Sequence, residues 1–352
     1  MSRPPAPDSD VAGLVNPLFA DKIGHDLVLA AENSPLLHDL WDLLAGLDLP
    51  GIGIAESAGG SGGSFTDVVA LLEAAGRRAV PLPLMEHHLA LWLVTSSGGA
   101  IAGSAPWTVA PPQASLTVAG TTVTGTLRDV AWGRDADRVV ALIETGGHPS
   151  VVVLDPAGAT AVQPGRDIAG QPRDALTFSD ATAEVLPSAV TADQLAQRGA
   201  VLRAAQMAGA MAAVYELTQG YTAQRQQFGR PIGKFQSVRS HLVFLAQMSV
   251  MTQLSVDRAA TAIESGRDAS FDAYAAKLLA NQNAAVSIKS GHQAHGAIGM
   301  TREYALQDLT RRLNAWRCDW GTEQALADRI GGAVASARRI VSVATDEGSL
   351  VV

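Results

Sequence analysis

The stretch on which the fold turns is Tyr221-Thr222-Ala223-Gln224-Arg225-Gln226-Gln227-Phe228-Gly229-Arg230-Pro231-Ile232-Gly233-Lys234-Phe235-Gln236. It separates two long Ala-rich helical stripes, Leu195 to Gln219 and Val238 to Ser265. The Phe228-Gly229-Pro231 turn places Arg225 at the junction between them. Arg225 offers a planar, permanently charged fork suited to a pyrophosphate. On residue type alone the plainer reading is a surface ion pair for Arg225, and a helix cap or core amide for Gln236.

Outward from this stretch the chain changes character twice. From Asn16 to about Ser97 the pattern is helical, with apolar residues at three-and-four spacing in Leu36, Leu37, Leu40, Trp41, Leu43 and Leu44. Val68, Val69, Leu71 and Leu72 form a second such stripe. Gly51 to Gly63 between them is too rich in glycine for regular structure; it lacks the Lys-Ser/Thr ending of a P-loop and reads as a helix connection. From Pro106 to about Pro187 short β-branched runs take over: Ser115–Val118, Thr121–Thr124, Val139–Ile143 and Val151–Leu154, divided by Gly, Pro and Asp turns. From about Thr191 to Val343 the chain is helical again, with stops expected at Gly266 and at Ser290-Gly291. The expectation is an α+β multi-domain chain: an N-terminal helical domain (1–105), a middle antiparallel β-domain (106–190) and a C-terminal four-helix bundle (191–352).

The bulk numbers narrow the function. The 352 residues are 47% hydrophobic and 17% charged, too apolar for disorder and suggestive of buried intersubunit surface. The net charge of −8 and the lack of a Lys/Arg block leave nothing to neutralise nucleic-acid phosphates. Cys318 is the single cysteine, so no intrachain disulfide forms, and Met1 to Pro7 shows no signal-peptide pattern; both suit a cytoplasmic protein. The apolar run Leu89–Val94 is far short of the roughly 20 residues of a membrane helix.

A second block, His292-Gln293-Ala294-His295-Gly296-Ala297-Ile298-Gly299-Met300-Thr301-Arg302-Glu303, stands near the C-terminus. Together the two blocks resemble the acyl-CoA dehydrogenase family, whose members carry an Arg-x-x-Phe-Gly-x-Pro-Ile segment leading to Phe-Gln, and a later Gln-x-x-Gly-Gly-x-Gly segment. The resemblance covers nearly the whole chain and is weakest in the β-region. It implies the acyl-CoA dehydrogenase fold and the cofactor FAD. By its motifs Arg225, Phe228, Gln236, Gln293, Gly296, Ala297, Thr322 and Gln324 are cofactor-binding positions, several of them reaching FAD held mainly by a neighbouring subunit.

The same resemblance shows what this sequence lacks. The family reaction needs one carboxylate to take a proton beside the thioester. Counting forward from Gly299 puts the family's Tyr-Glu-Gly-Thr segment on Asp319-Trp320-Gly321-Thr322, so Trp320 holds the base position. Counting back from Arg225 puts the alternative base position near Gly199. The segment matching the family's Thr-Glu-Pro-x-x-Gly-Ser-Asp is about Val109 to Ala114, without acid or hydroxyl, and the flavin-ring segment falls on Asp129-Val130-Ala131. Such losses resemble the non-catalytic chain of the α2β2 acyl-CoA dehydrogenases of sterol-degrading bacteria. That implies a homologous catalytic subunit as partner, electron-transfer flavoprotein as oxidant, and an acyl-CoA with a bulky or steroid side chain as the substrate of the complex.

Two alternatives stand beside this reading. A self-sufficient homotetramer would need a relocated base, for which Glu216, Asp319 and Glu323 are available, Asp319 best placed. A cofactor-free scaffold is the other, against which the retained Arg225, Gln236 and Gln293 argue. Other conspicuous residues carry plain readings: no metal site at His292 and His295, for want of a third ligand; a solvated helix start at His87-His88; core or interface for Trp316, Trp320 and Phe228; a solvated or intersubunit face for Arg311, Arg312 and Arg317.

Overall fold

The computed structural model describes residues 10–32, 34, 36–112 and 115–336. Gln113 and Ala114, and the helical pattern expected over 337–343, lie outside them. The chain forms two compact units. One gathers the described residues of Met1–Leu29, Phe65–Val80 and Ala200–Val352; the other gathers Ala30–Ser64 and Pro81–Gly199.

The helices of the N-terminal part are α1 (Asp10–Lys22), α2 (His25–Ala31), α3 (His38–Ala45), α4 (Phe65–Arg77) and α5 (Leu84–Ser96). The stripe Val68, Val69, Leu71 and Leu72 is buried on α4, where the periodicity put it; of the first stripe Leu40, Trp41 and Leu44 are buried on α3, while Leu36 and Leu37 precede that helix and Leu43 faces outward, 37% exposed. Gly51–Gly63 is a connection held by a pairing of Ile54 with Gly62 and one 3₁₀ turn. The expectation for His87 and His88 is corrected, because they are 4% and 2% exposed. Helix α5 has no polar face, so its histidines serve backbone instead. His87 Nδ1 accepts the Trp107 N–H at 2.9 Å and His88 Nδ1 donates to the Ile52 carbonyl at 3.2 Å. Burial pushes both down to about 3, so they are neutral.

The middle sheet contains β1 (Trp107–Val109), β2 (Ser115–Ala119), β3 (Thr122–Ala131), β4 (Arg138–Thr145), β5 (His148–Leu154), β6 (Ala161–Gln163) and β7 (Arg173–Pro187). They run in the order β1-β4-β5-β7-β3-β2, with β6 on β7. The expected all-antiparallel sheet is corrected to a mixed one, since β1 pairs with β4 in parallel. The β2–β3 excursion between them is long enough to return the chain in its starting direction, which a tight hairpin cannot do. Leu127, Val130, Val139, Leu154, Leu176 and Phe178 form its core.

The C-terminal helices are α6 (Ala192–Gln224), α7 (Gln236–Glu264), α8 (Ser270–His295), α9 (Leu306–Trp316) and α10 (Glu323–Ser336). Gly266 does follow the end of α7, in a left-handed conformation with φ 70°. Ser290-Gly291 is not a stop: α8 runs through it, and a Cβ on Gly291 would stand 3.0 Å from Val214 Cγ1, so this glycine serves close helix contact. Helices α4 and α6 cross on a reciprocal glycine pair. A Cβ on Gly76 would lie 2.0 Å from the Gln206 carbonyl oxygen, and one on Gly209 would lie 1.9 Å from that of Glu73. Arg312 is corrected as well: it is 2% exposed, on the inward side of α9, and donates to the Asp308 carbonyl one turn earlier at 3.2 Å. Among the described residues no helix is long and apolar enough to cross a membrane.

Candidate functional site

Helix α6 ends at Gln224, and the chain turns at once into a hairpin of β8 (Gln226–Gln227) and β9 (Arg230–Pro231). Phe228 and Gly229, with φ 52° and 76°, make its two-residue loop, where both central residues require the left-handed region. Arg225 is fixed by its backbone: its N–H donates to the Tyr221 carbonyl and its carbonyl accepts from Ile232 N–H, each at 2.8 Å. Its side chain is exposed and enters no ion pair among the described residues. Phe228 stands 91% exposed at the hairpin tip, edge-on to Phe235 at 6.0 Å, while the Arg230 guanidinium lies over Phe235 at 4.2 Å. Gln236 opens α7 and is also exposed.

The second block closes α8. Gln293, Gly296 and Ala297 are exposed. Gly296 takes φ 65° and ψ −143°, an essentially glycine-only conformation, and open space faces its missing Cβ. The two blocks are joined by rings: Tyr221 stacks on His295 at 4.6 Å, and Tyr304 lies 5.0 Å from His295 and 6.0 Å from Tyr221. His295 Nδ1 donates to the Gly291 carbonyl at 2.8 Å, and His292 Nε2 bonds Thr310 at 3.0 Å. No His/Cys/Asp/Glu group able to hold a metal is found among the described residues.

The third segment follows α9. Trp320 is half-buried with φ 54° and Gly321 has φ 123°, a sharp turn held from beneath. Lys277, fully buried on α8, donates to Asn281 Oδ1 at 2.5 Å and to the carbonyl oxygens of Trp316 and Gly321 at 3.0 and 3.4 Å. Asn281 Nδ2 also reaches Gly321 O at 3.0 Å. Burial lowers Lys277 to about 7, against the pull of Asp319. Asp319 in turn faces Arg203 at 3.2 Å, and Arg203 is 2% exposed, bonded to Gln206 and placed over the Trp316 ring at 5.4 Å. Thr322 caps α10 through Ala325 N–H at 3.3 Å, and Gln324 donates to Asp328 at 2.7 Å.

The positions matched to a base therefore hold a tryptophan and, at Gly199, a buried glycine in α6. The three substitute carboxylates are all engaged: Asp319 with Arg203, Glu216 with Arg77, and Glu323 with Arg317 at 2.5 Å. Asp129 projects from a bulge of β3, its side chain 66% exposed and 4.0 Å from Arg173. Sequence reading did not foresee Lys277 or Arg203; a lone charge inside an Ala-rich helical stripe is the signal that marks such residues.

Residues 190–335 match the family model described as "Acyl-CoA dehydrogenase, C-terminal domain". This stretch carries the C-terminal domain of the acyl-CoA dehydrogenase family. It is 29% identical over 296 residues to the acyl-CoA dehydrogenase IpdE2 of Mycolicibacterium smegmatis, spanning 82% of this chain and 86% of that protein. Its fold is that of a Tcur3481–Tcur3483 steroid acyl-CoA dehydrogenase, with TM-score 0.84, 24% identity and coverage of 93% and 97%. The ChsE4–ChsE5 complex from Mycobacterium tuberculosis gives TM-score 0.83, 21% identity and coverage of 94% and 97%. An FAD complex of PigA shares the same fold, with TM-score 0.79, 20% identity and coverage of 94% and 99%.

Proposed function

We propose that this acyl-CoA dehydrogenase chain is the non-catalytic member of a two-chain assembly, lending FAD contacts across the subunit boundary while a homologous partner supplies the base. The observation that carries this reading is the filled base position: Trp320 stands there, and the adjacent Asp319 is committed to Arg203. The complex formed by ChsE4 and ChsE5, and the steroid enzyme of like fold, support an α2β2 arrangement acting on CoA esters with bulky or steroid side chains.

The residues fit an FAD reached from outside the chain. All eight matched positions, Arg225, Phe228, Gln236, Gln293, Gly296, Ala297, Thr322 and Gln324, are exposed. Arg225 would grip the pyrophosphate with a bidentate fork, while Gln236 and Gln293 would offer amides and Gly296 a bare backbone to the adenosine end. FAD, when bound, supplies the hydride acceptor for α,β-desaturation, with electron-transfer flavoprotein as the following oxidant. An apolar stripe on α7, Val243, Val250 and Leu254, 54%, 58% and 63% exposed, supports burial against another subunit.

Co-expression with a longer homologue that keeps its glutamate tests the proposal. The pair is expected to be yellow and active, to lose flavin with Arg225→Ala in this chain, and to lose turnover but not flavin when the partner's glutamate is replaced. A yellow, active homotetramer of this chain alone refutes it.

A further inference from the structure

His25 is the first residue of α2, and its ring meets two acceptors at once. Nδ1 lies 2.6 Å from Asp308 Oδ2 and Nε2 lies 2.9 Å from the Arg302 carbonyl oxygen. A neutral imidazole has one N–H and cannot donate to both; against an ionised Asp308 the imidazolium is the form that satisfies this geometry. Asp308 is 4% exposed and also accepts from Gln307 Nε2 at 2.7 Å. The two acceptors bracket residues 302–308, directly after the Gly296–Met300 turn that carries the expected adenosine contacts.

The ring sits in the wall of a cavity of about 560 Å³ at the α1–α2 corner, lined also by the end of α4, the last turns of α6 and the start of α9. The charged and titratable groups facing it are Arg77 at the end of α4 and Arg78 just after it, Glu216 and Tyr221 from α6, Tyr304, and Asp308 from α9, with Asp26 beside it on α2. Arg77 and Glu216 neutralise one another. Tyr304 continues from the bracketed segment into the ring cluster with Tyr221 and His295.

We propose that His25 is a positioning residue for flavin binding: as a doubly donating cation it pins residues 302–308 and so holds the 296–300 turn in the shape that meets the cofactor. This rests on the reading of Gly296 and Ala297 as FAD contacts. The pin is sensitive to alkali. Burial opposes the charge on His25, but the hydrogen bond and charge of Asp308, the Arg302 carbonyl and Asp26 outweigh it and raise the pKa above the ordinary value near 6.5. A group whose folded pKa is raised contributes in full below its unfolded value and loses that contribution as pH climbs through the folded one. The segment therefore loosens on the alkaline side.

The test uses the co-expressed holo-complex with His25→Phe, which removes both donors, and His25→Arg, which keeps two donors at every pH. Backbone hydrogen–deuterium exchange of residues 296–308, corrected for intrinsic rate, is read together with the rate of flavin release. In the wild type both are expected to rise at least tenfold from pH 6 to pH 9. His25→Phe is expected to be fast at both pH values and His25→Arg slow at both. Unchanged exchange in His25→Phe overturns the pin itself. Faster exchange with unchanged flavin release overturns its role toward the cofactor, and if Arg225→Ala still releases flavin, the wider proposal of FAD contact survives that result. Where His25→Phe does not assemble, the pH response of the wild type against His25→Arg decides alone.

Discussion

Replacing Asp319 by alanine separates a structural carboxylate from a relocated base. The perturbation is confined: Asp319 Oδ2 lies 3.2 Å from Arg203 Nη2, with side chains 11% and 2% exposed. Coulomb's law at an effective dielectric near 20 gives about 5 kcal/mol of gross attraction at that distance. Removing one partner of a buried pair leaves the other charge under-compensated and costs about 3–5 kcal/mol. The loss is felt twice, because Asp319 is also the carboxylate whose charge favours the Lys277 cation. Urea unfolding followed by tryptophan fluorescence is a suitable assay, since Trp316 lies under the Arg203 guanidinium. Asp319→Ala is expected to shift the transition by that amount, and the apolar pair Arg203→Met with Asp319→Leu to recover most of it. Turnover of the assembled complex, measured on folded material, is expected to stay within about threefold of wild type, far from the roughly 10²–10⁴-fold loss of a missing general base. A drop of that size with stability unchanged would refute the reasoning and restore Asp319 as the base.

Three further outcomes are expected. The folded state holds Lys277 near 7, so between about pH 7 and pH 10 the unfolded chain binds more protons at this group, whose contribution to stability rises with pH; the change in denaturant midpoint across that range should be more positive in wild type than in Lys277→Met. Gly209→Ala places a Cβ 1.9 Å from the Glu73 carbonyl oxygen, which forces α4 and α6 apart. It should cost about 1–3 kcal/mol or more, read as a lowered thermal midpoint. Phe228→Ala, at a side chain 91% exposed, should change this chain's own stability by no more than about 0.5 kcal/mol while weakening association with the partner in sedimentation.

The histidines show where sequence reading stops. His87-His88 follows Glu86 and opens a helix, and by composition that looks like a wet helix start. Only packing shows that α5 has no wet side and that the imidazoles are spent on the Trp107 and Ile52 backbone. Ser290-Gly291 fails for a related reason: glycine at a helix stop and glycine at a helix crossing are alike in sequence, and the neighbour that distinguishes them, Val214, is far away along the chain. The strand pairing of β1 failed likewise, because direction in a sheet depends on how the chain returns.

Local chemistry was legible from the start. The helical and β-branched periodicities, the turn at Phe228-Gly229, and the fork of Arg225 are properties of neighbouring residues, and the motif spacings that mark the family are counted along the chain. The absence of glutamate at Trp320 and Gly199 was legible too, because it needs only a count. Tertiary structure alone decided which charges are spent. His25 meets Asp308, Arg203 meets Asp319 and Lys277 holds the Trp320 turn across long stretches of chain, and burial, which no local pattern fixes, lowers Lys277 to about 7.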